Sequence, residues 1–243
     1  MREAGRVVGD MIEALRGRLR PGVTTLELDE VARETIERYG AKPAFKGYRG
    51  FPAHICTSVN EEVVHGIPSR RALRDGDIVG LDVGAVVDGY YGDAAVTLPV
   101  GAVSQKAQEL IRVTERALQR GIEMARPGRR LSDISHAVQQ EVEAHGFSVV
   151  REFVGHGIGT QLHEAPQIPN YGKPGFGPEL KAGMVLAIEP MVNEGEAQVR
   201  ILEDGWTAVT VDGKLSAHFE HTVAVRENGP EILTACPKKK ASR

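Results

Sequence analysis

Residues 20–40, RPGVTTLELDEVARETIERYG, return at 126–146 as RPGRRLSDISHAVQQEVEAHG. Both segments open on Arg-Pro-Gly, pass through a polar stretch into apolar residues at helical spacing, and close on Gly. That pattern reads as a turn, a helix and a helix stop, used twice. A second echo follows in the same order, LRDGDIVGLDVG at 73–84 and LKAGMVLAIEPM at 180–191. Each has a turn ending in Gly and then an apolar strand bearing one carboxylate, so Asp82 and Glu189 fall at equivalent places. Two echoes at nearly one offset constrain the chain to a duplicated domain of the α/β (α+β) class. The expectation is a single domain over 1–243 with pseudo-two-fold halves near 1–115 and 116–243, each with helices followed by antiparallel strands.

Helical periodicity predicts helices over 3–19, 24–39, 104–125 and 131–145. Strands are expected near 56–60, 77–87, 92–98, 149–154, 184–192, 197–203, 206–211 and 218–226. Asp88-Gly89, between two apolar runs, signals a hairpin that sets positions 82 and 93 roughly opposite each other. Residues 165–180 hold four prolines and three glycines, which predicts a long loop over one face, a place where function often resides.

Asp82 and Asp93 interrupt apolar strands, whereas Asp88 is explained by the turn. Unless both point into solvent, two carboxylates facing each other in a core are strongly unfavourable without a cation between them. The anomaly recurs at Glu189 in MVLAIEPMV and Glu220 in AHFEHTVAV. A pseudo-two-fold would bring all four together, where mutual repulsion calls for about two divalent ions. His156, between glycines in VVREFVGHGIGTQLHE, sits in a loop just after an apolar strand and is a fifth candidate ligand; His163 follows, and His65 in EEVVHGIP is a weaker candidate. Carboxylates with one imidazole suit Mn, Fe, Co or Zn better than a thiolate-preferring metal.

The balance of 30 basic and 33 acidic residues gives no field for nucleic acid or an anionic membrane. The one basic run, Lys238 to Lys240, reads as part of a frayed, solvated tail over 238–243. Cys56 and Cys236 lack a short metal-type spacing, so no disulfide and a reducing compartment are expected. The N-terminal stretch MREAGRVVGDMIEAL has no signal-like apolar core, and no uncharged apolar stretch is long enough to span a membrane. A cytoplasmic protein is the expectation.

Taken together, KPAFKGYRGFP, ICTSVNEEVVHGIP, DGDIVGLDVGAVVDGYYGD, GHGIG followed by His163, IEPMV and FEHT resemble the methionine aminopeptidases of the bacterial, first type. The resemblance covers nearly the whole chain and implies the pita-bread fold. It implies that Asp82, Asp93, His156, Glu189 and Glu220 ligate two divalent ions, with Asp93 and Glu220 shared, Asp82 on one side, and His156 and Glu189 on the other. His65 and His163 match the family's substrate-contacting histidines. Phe45, Tyr48, Phe51, Cys56, Phe153 and Trp206 match the lining of its methionine slot. The implied activity is removal of the initiator methionine from nascent polypeptides, at the ribosome or soon after, when the second residue is small and uncharged, by a monomer. Three departures stand out: an abbreviated N-terminus, no zinc-finger extension, and His218 before FEHT where other polar residues are commoner.

Within that reading Glu189 accepts the proton of the attacking water, His163 stabilises the oxyanion, and His65 hydrogen-bonds the scissile amide or protonates the leaving nitrogen. The rival of the same fold is an Xaa-Pro peptidase, which usually carries an additional N-terminal domain. The rival of another class is a metal-free binding protein, which would have lost ligands that are all present here.

Overall fold

The structure, a computed structural model, describes residues 1–235; Cys236, Lys238 to Lys240 and the 238–243 tail lie outside the described residues. Among the described residues four α-helices form: α1 (Arg2–Arg18), α2 (Thr25–Arg38), α3 (Gln105–Met124) and α4 (Leu131–Glu143). The expected boundary at 115 falls inside α3. In α1, Ala4, Val7, Val8, Met11, Ile12 and Leu15 recur at helical spacing and are buried. Thr24 caps α2 by accepting a hydrogen bond from the Glu27 backbone N–H, and the Thr24 backbone N–H donates to the Glu27 carboxylate, which satisfies two otherwise unpaired donors. The helix stops at Gly40 and Gly146 both take positive φ, +60° and +74°.

Nine strands of the described residues form one antiparallel sheet: β1 (Lys42–Pro43), β2 (Ile55–Val59), β3 (Ile78–Val87), β4 (Tyr90–Pro99), β5 (Gly155–Gly157), β6 (Glu164–Ile168), β7 (Val185–Ile188), β8 (Glu220–Arg226) and β9 (Gly229–Ile232). Their order is β1-β3-β4-β8-β7-β5-β6, with β2 also on β3 and β9 also on β8. The two halves meet where β4 pairs with β8. Two three-stranded sheets complete the fold. One joins Ser148–Val149, Met191–Asn193 and Ser216–His218; the other joins Glu62–Val64, Val199–Ile201 and Ala208–Thr210.

The duplication is visible in the backbone. Gly22 N–H donates to Leu73 O at 2.8 Å, and Gly128 N–H donates to Leu180 O at 3.0 Å. A bridge joins Thr24 to Ala72, and another joins Arg130 to Glu179. The same sequence echo therefore closes the same turn against the segment that leads into the carboxylate-bearing strand.

Alternation sorts the central strands. Val79, Leu81, Val83 and Ala85 of β3, with Ala94, Val96 and Leu98 of β4, join the core beneath the helices. Residues of the other parity, including Asp82 and Asp93, fall on the opposite face, because successive side chains along a strand point to opposite sides.

One expected strand is cut short and two divide. The 149–154 strand ends at Val149, and the chain leaves the small sheet before β5 begins in the large one. The 184–192 strand breaks at Glu189-Pro190, since proline has no N–H for the ladder. The 218–226 strand breaks at Phe219, whose N–H bonds Pro190 O at 3.3 Å. Both of the latter breaks are points where the chain passes between the large sheet and a small one. The expected 165–180 loop begins as a strand, β6, which pairs with β5. His156 accordingly lies on a strand, not in a loop. Gly155 and Gly157 serve close approach, because a Cβ there would stand 2.4 Å from Ala187 O and 2.2 Å from Ala165 O.

Candidate metal centre and its cavity

Two adjacent cross-strand rows carry the acids. In one, Cys56 lies opposite Asp82, Asp82 opposite Ala95, and Ala95 opposite Glu220. Glu189 follows Ile188, the partner of His221, and so continues that row. In the other, Gly84 lies opposite Asp93, Thr222 opposite Ala187, and Ala187 opposite His156. Asp93 and Thr222 join the two strands: Asp93 N–H donates to Thr222 Oγ1 at 2.9 Å, and the hydroxyl donates to Asp93 O at 2.7 Å. Gly84, Ala95 and Ala187 are small, which leaves the acids room to converge.

Asp82 and Asp93 are thus diagonal neighbours, not directly opposed. Asp88 and Gly89 take φ of +51° and +81°, the geometry of a two-residue turn with both central residues left-handed. Val87 then pairs with Tyr90, which sets Asp82 against Ala95 and Gly84 against Asp93. The displacement is two residues, so parity holds and both acids share a face.

The acids are deprived of partners. Among the described residues Asp82 Oδ1, Asp93 Oδ1, Glu220 Oε1 and His218 Nε2 are buried without a hydrogen bond, a costly state for polar atoms. Asp93 and Glu220 are only 4% and 2% exposed. Burial, then Asp82 and Glu189, pushes the Asp93 carboxyl well above the carboxylate range. Burial, then Asp93 and Glu189, does the same to Glu220. Asp82 is raised to about 7 by burial, with Glu189 adding and His218 opposing. Glu189 is raised to about 7 by burial, with His156 opposing. A cation would answer all four at once, and an oxygen-rich set with imidazole fits a divalent ion.

Imidazoles flank Glu189 on both sides. His156 Nε2 stands 3.4 Å from its Oε1, and His218 Nε2 stands 3.6 Å from its Oε2. His156 Nδ1 lies 2.9 Å from Gly157 O. Donation there leaves the Nε2 lone pair facing the acids, as a metal ligand requires. Ligand atoms of Asp93, His156 and Glu220 lie within 4.8 Å of one another, and so do those of Glu189, His218 and Glu220.

The rows open into a cavity of about 160 Å³, the size for one side chain and a reacting group, not a large ligand. Its lining unites Asp82, Asp93, His156, Glu189, Glu220, His65, His163, Phe45, Tyr48, Phe51, Cys56 and Trp206, every candidate but one. Phe153 is the exception, packing edge-on against the His65 ring with centroids 5.3 Å apart. Arg49 and Leu162 also line it, and sequence reasoning missed both. Nothing but proximity to Tyr48 and His163 could have flagged them.

His65 sits at φ +62°, a strained conformation of the kind found at functional sites. Gly66 makes it possible for this segment to press onto β2, where Thr57 N–H donates to Gly66 O at 2.8 Å. Burial lowers His65 to about 4. Burial, then His156 and Arg49, lowers His163 to about 4. Tyr48 OH meets His163 Nδ1 at 2.8 Å. Burial pushes the Cys56 thiol well up, so it packs as a small neutral group.

The description of metallopeptidase family M24 matches residues 1–227. A protein named methionine aminopeptidase 1 from Bacillus subtilis is 58% identical over 234 residues, covering 96% of this chain and 94% of that protein. A methionine aminopeptidase from Clostridium perfringens is 57% identical with the same coverage. The crystal structure of methionine aminopeptidase from Thermotoga maritima superposes with a TM-score of 0.96 at 52% identity, over 97% of this chain and 95% of that one.

Proposed function

Because the chain belongs to metallopeptidase family M24, a family with the pita-bread fold, we infer that it is a metal-dependent aminopeptidase hydrolysing the bond after an N-terminal methionine. The observation that carries the site assignment is the set of buried, unpartnered carboxylate oxygens at the floor of a cavity walled by aromatic side chains. Asp82, Asp93, His156, Glu189 and Glu220 would hold two divalent ions drawn from Mn, Fe, Co and Zn. Glu220 belongs to both of the compact donor groups, which supports a shared role for it. Bound there, such ions acidify a water molecule and polarise the scissile carbonyl.

This chain's own groups do the rest. Glu189 accepts the water proton, since its two oxygens face imidazoles instead of a strand partner. Tyr48 O–H, donating to His163 Nδ1, fixes the tautomer that leaves Nε2–H to donate to the developing oxyanion. His163 performs this as a neutral imidazole, with its pKa near 4. His65, also neutral at pH 7, hydrogen-bonds the scissile amide; a role as imidazolium acid does not fit its burial. Phe45, Tyr48, Phe51, Cys56 and Trp206 enclose the methionine side chain, and Phe153 holds His65 in place.

The substrates are N-termini of nascent polypeptides with a small, uncharged second residue, met at or near the ribosome in the cytoplasm by a monomeric enzyme. Among the described residues no helix is long and apolar enough to cross a membrane. The test is release of the first residue from Met-Ala-Ser, Leu-Ala-Ser and Ala-Pro-Ser peptides, with divalent metal content measured on the same preparation. Methionine release alone, lost with a chelator, is expected. Preference for the proline peptide, or activity at full rate without metal, would overturn the reading.

A further inference from the structure

Of the described residues that line the cavity, Arg49 is the one permanent cation, and it is exposed whereas the carboxylates lie at the buried end. No carboxylate forms an ion pair with it among the described residues. Its guanidinium lies 5.4 Å from the centre of the Tyr48 ring, the ring whose hydroxyl meets His163. It therefore stands at the solvent end, beside the groups assigned to the reacting bond.

The backbone around this position is tied by hydrogen bonds. Arg49 takes φ +49°, a left-handed conformation uncommon for a residue with a side chain. A net of backbone bonds keeps it there: Gly47 N–H to Phe51 O at 2.8 Å, Tyr48 N–H to Phe45 O at 2.8 Å, and Phe51 N–H to Tyr48 O at 2.9 Å. The far end of the loop is anchored to α2. Asp29 accepts from His54 N–H at 2.7 Å and Ile55 N–H at 3.1 Å, and its second oxygen meets His54 Nδ1 at 2.8 Å. Lys46 Nζ meets the other nitrogen of that ring at 3.2 Å.

We propose that Arg49 is a specificity-determining residue that favours peptides bearing a carboxylate at the third or fourth position. The inference rests on the aminopeptidase reading. With the first side chain among the aromatic rings and the scissile bond over the acids, the rest of the peptide must leave through the solvent end, past a guanidinium in want of an anion. A planar guanidinium takes a carboxylate through two parallel hydrogen bonds. Cations at the same place in the peptide meet repulsion.

The experiment compares kcat/KM on Met-Ala-Asp-Ala and Met-Ala-Ala-Asp with their Lys and Ser counterparts, amidated at the C-terminus, for the metal-loaded wild type, Arg49→Gln and Arg49→Glu. The pair is solvent-exposed, so the wild type should prefer Asp over Lys by about two- to five-fold at low salt, and the preference should shrink toward unity at about 0.5 M salt. Arg49→Gln should abolish it and Arg49→Glu should invert it, each ratio being internal to one protein and so independent of its overall activity. The salt series on the wild type alone tests the idea if a variant does not fold. Equal rates for Asp and Lys peptides in the wild type, or a preference unchanged in Arg49→Glu, would overturn the proposal. Absence of methionine release from every peptide would instead sink the aminopeptidase reading.

Discussion

Replacing Asp82 by Asn should make the metal-free protein more stable at pH 8 while weakening its hold on metal. The Asp82 carboxyl is raised from 3.8 to about 7, first by burial. Its folded pKa lies above the unfolded one, so its contribution to stability is full below about pH 4 and is lost as pH rises through 7. At pH 5 most of that contribution remains; at pH 8 almost none does. One pKa step is worth about 1.4 kcal/mol, so the wild type loses about 3 kcal/mol between pH 5 and pH 8 that the neutral amide does not lose. Water in the cavity screens part of the charge, which makes this a ceiling. Comparing the two proteins cancels His65, His163 and His221, whose lowered pKa values act in the opposite direction; Asp93 and Glu220, which the Asp82 charge also raises, are relieved in the variant and add in the same direction. Thermal unfolding of chelator-treated protein at both pH values is the assay. At about 2–4 °C per kcal/mol for a chain of this size, the midpoint gap should widen by about 6–12 °C toward pH 8. Added Mn²⁺ should raise the wild-type midpoint more than the variant's. If Asp82→Asn melts at or below the wild type at pH 8 without metal, the charge is not a burden and the argument for a cation collapses.

His163→Ala should lower kcat by about 10²–10³ with metal content unchanged by elemental analysis; loss of metal would show His163 to be a ligand. Tyr48→Phe removes only the hydroxyl that meets His163 Nδ1, and on the proposed role of that hydroxyl it should cost about 1 kcal/mol, roughly five-fold in kcat. Gly157→Ala drives a Cβ to 2.2 Å from Ala165 O, a backbone atom that cannot swing aside. It should destabilise by about 2–3 kcal/mol, read from the urea midpoint, and an unchanged midpoint would contradict the packing of β5 against β6.

The helices were legible because amphipathic spacing and Gly stops are local signals, and each helix begins and ends within two residues of its expectation. The acids were legible because a carboxylate in an apolar strand has no ordinary explanation. What escaped was set by tertiary pairing. The register of Asp82 and Asp93 depends on a two-residue turn closing at Val87 and Tyr90, and one sequence leaves that count open. The strand at His156 is three residues long and rich in glycine, so propensity argues against it, yet it exists because β6 and β7 lie on either side. Phe153 was assigned to the slot on resemblance, but the end of the expected 149–154 strand is irregular and turns its ring onto His65. Arg49 carries no local signal at all.

The duplication accounts for the acids, and a strand break in one half accounts for the different duties proposed for them. Asp82 and Glu189 occupy equivalent points in equivalent frames, each beyond a turn closed by the same backbone bonds. The strand of Asp82 runs on unbroken to the hairpin, with ladder partners on both sides, Cys56 and Ala95. The strand of Glu189 stops one residue earlier, because Pro190 has no N–H to continue it. Glu189 is therefore released from the ladder, has one more methylene than its counterpart, and faces two imidazoles instead of two strands. A carboxylate fixed in a ladder is suited to holding a cation, whereas one at a strand break can turn toward an attacking water and back. The break lies on the side of the site that carries His156, whose ring centre is 4.2 Å from that of His163. The residues proposed as proton acceptor and oxyanion donor thus share one half of the duplicated frame, and the other half supplies the unbroken strands against which they are set.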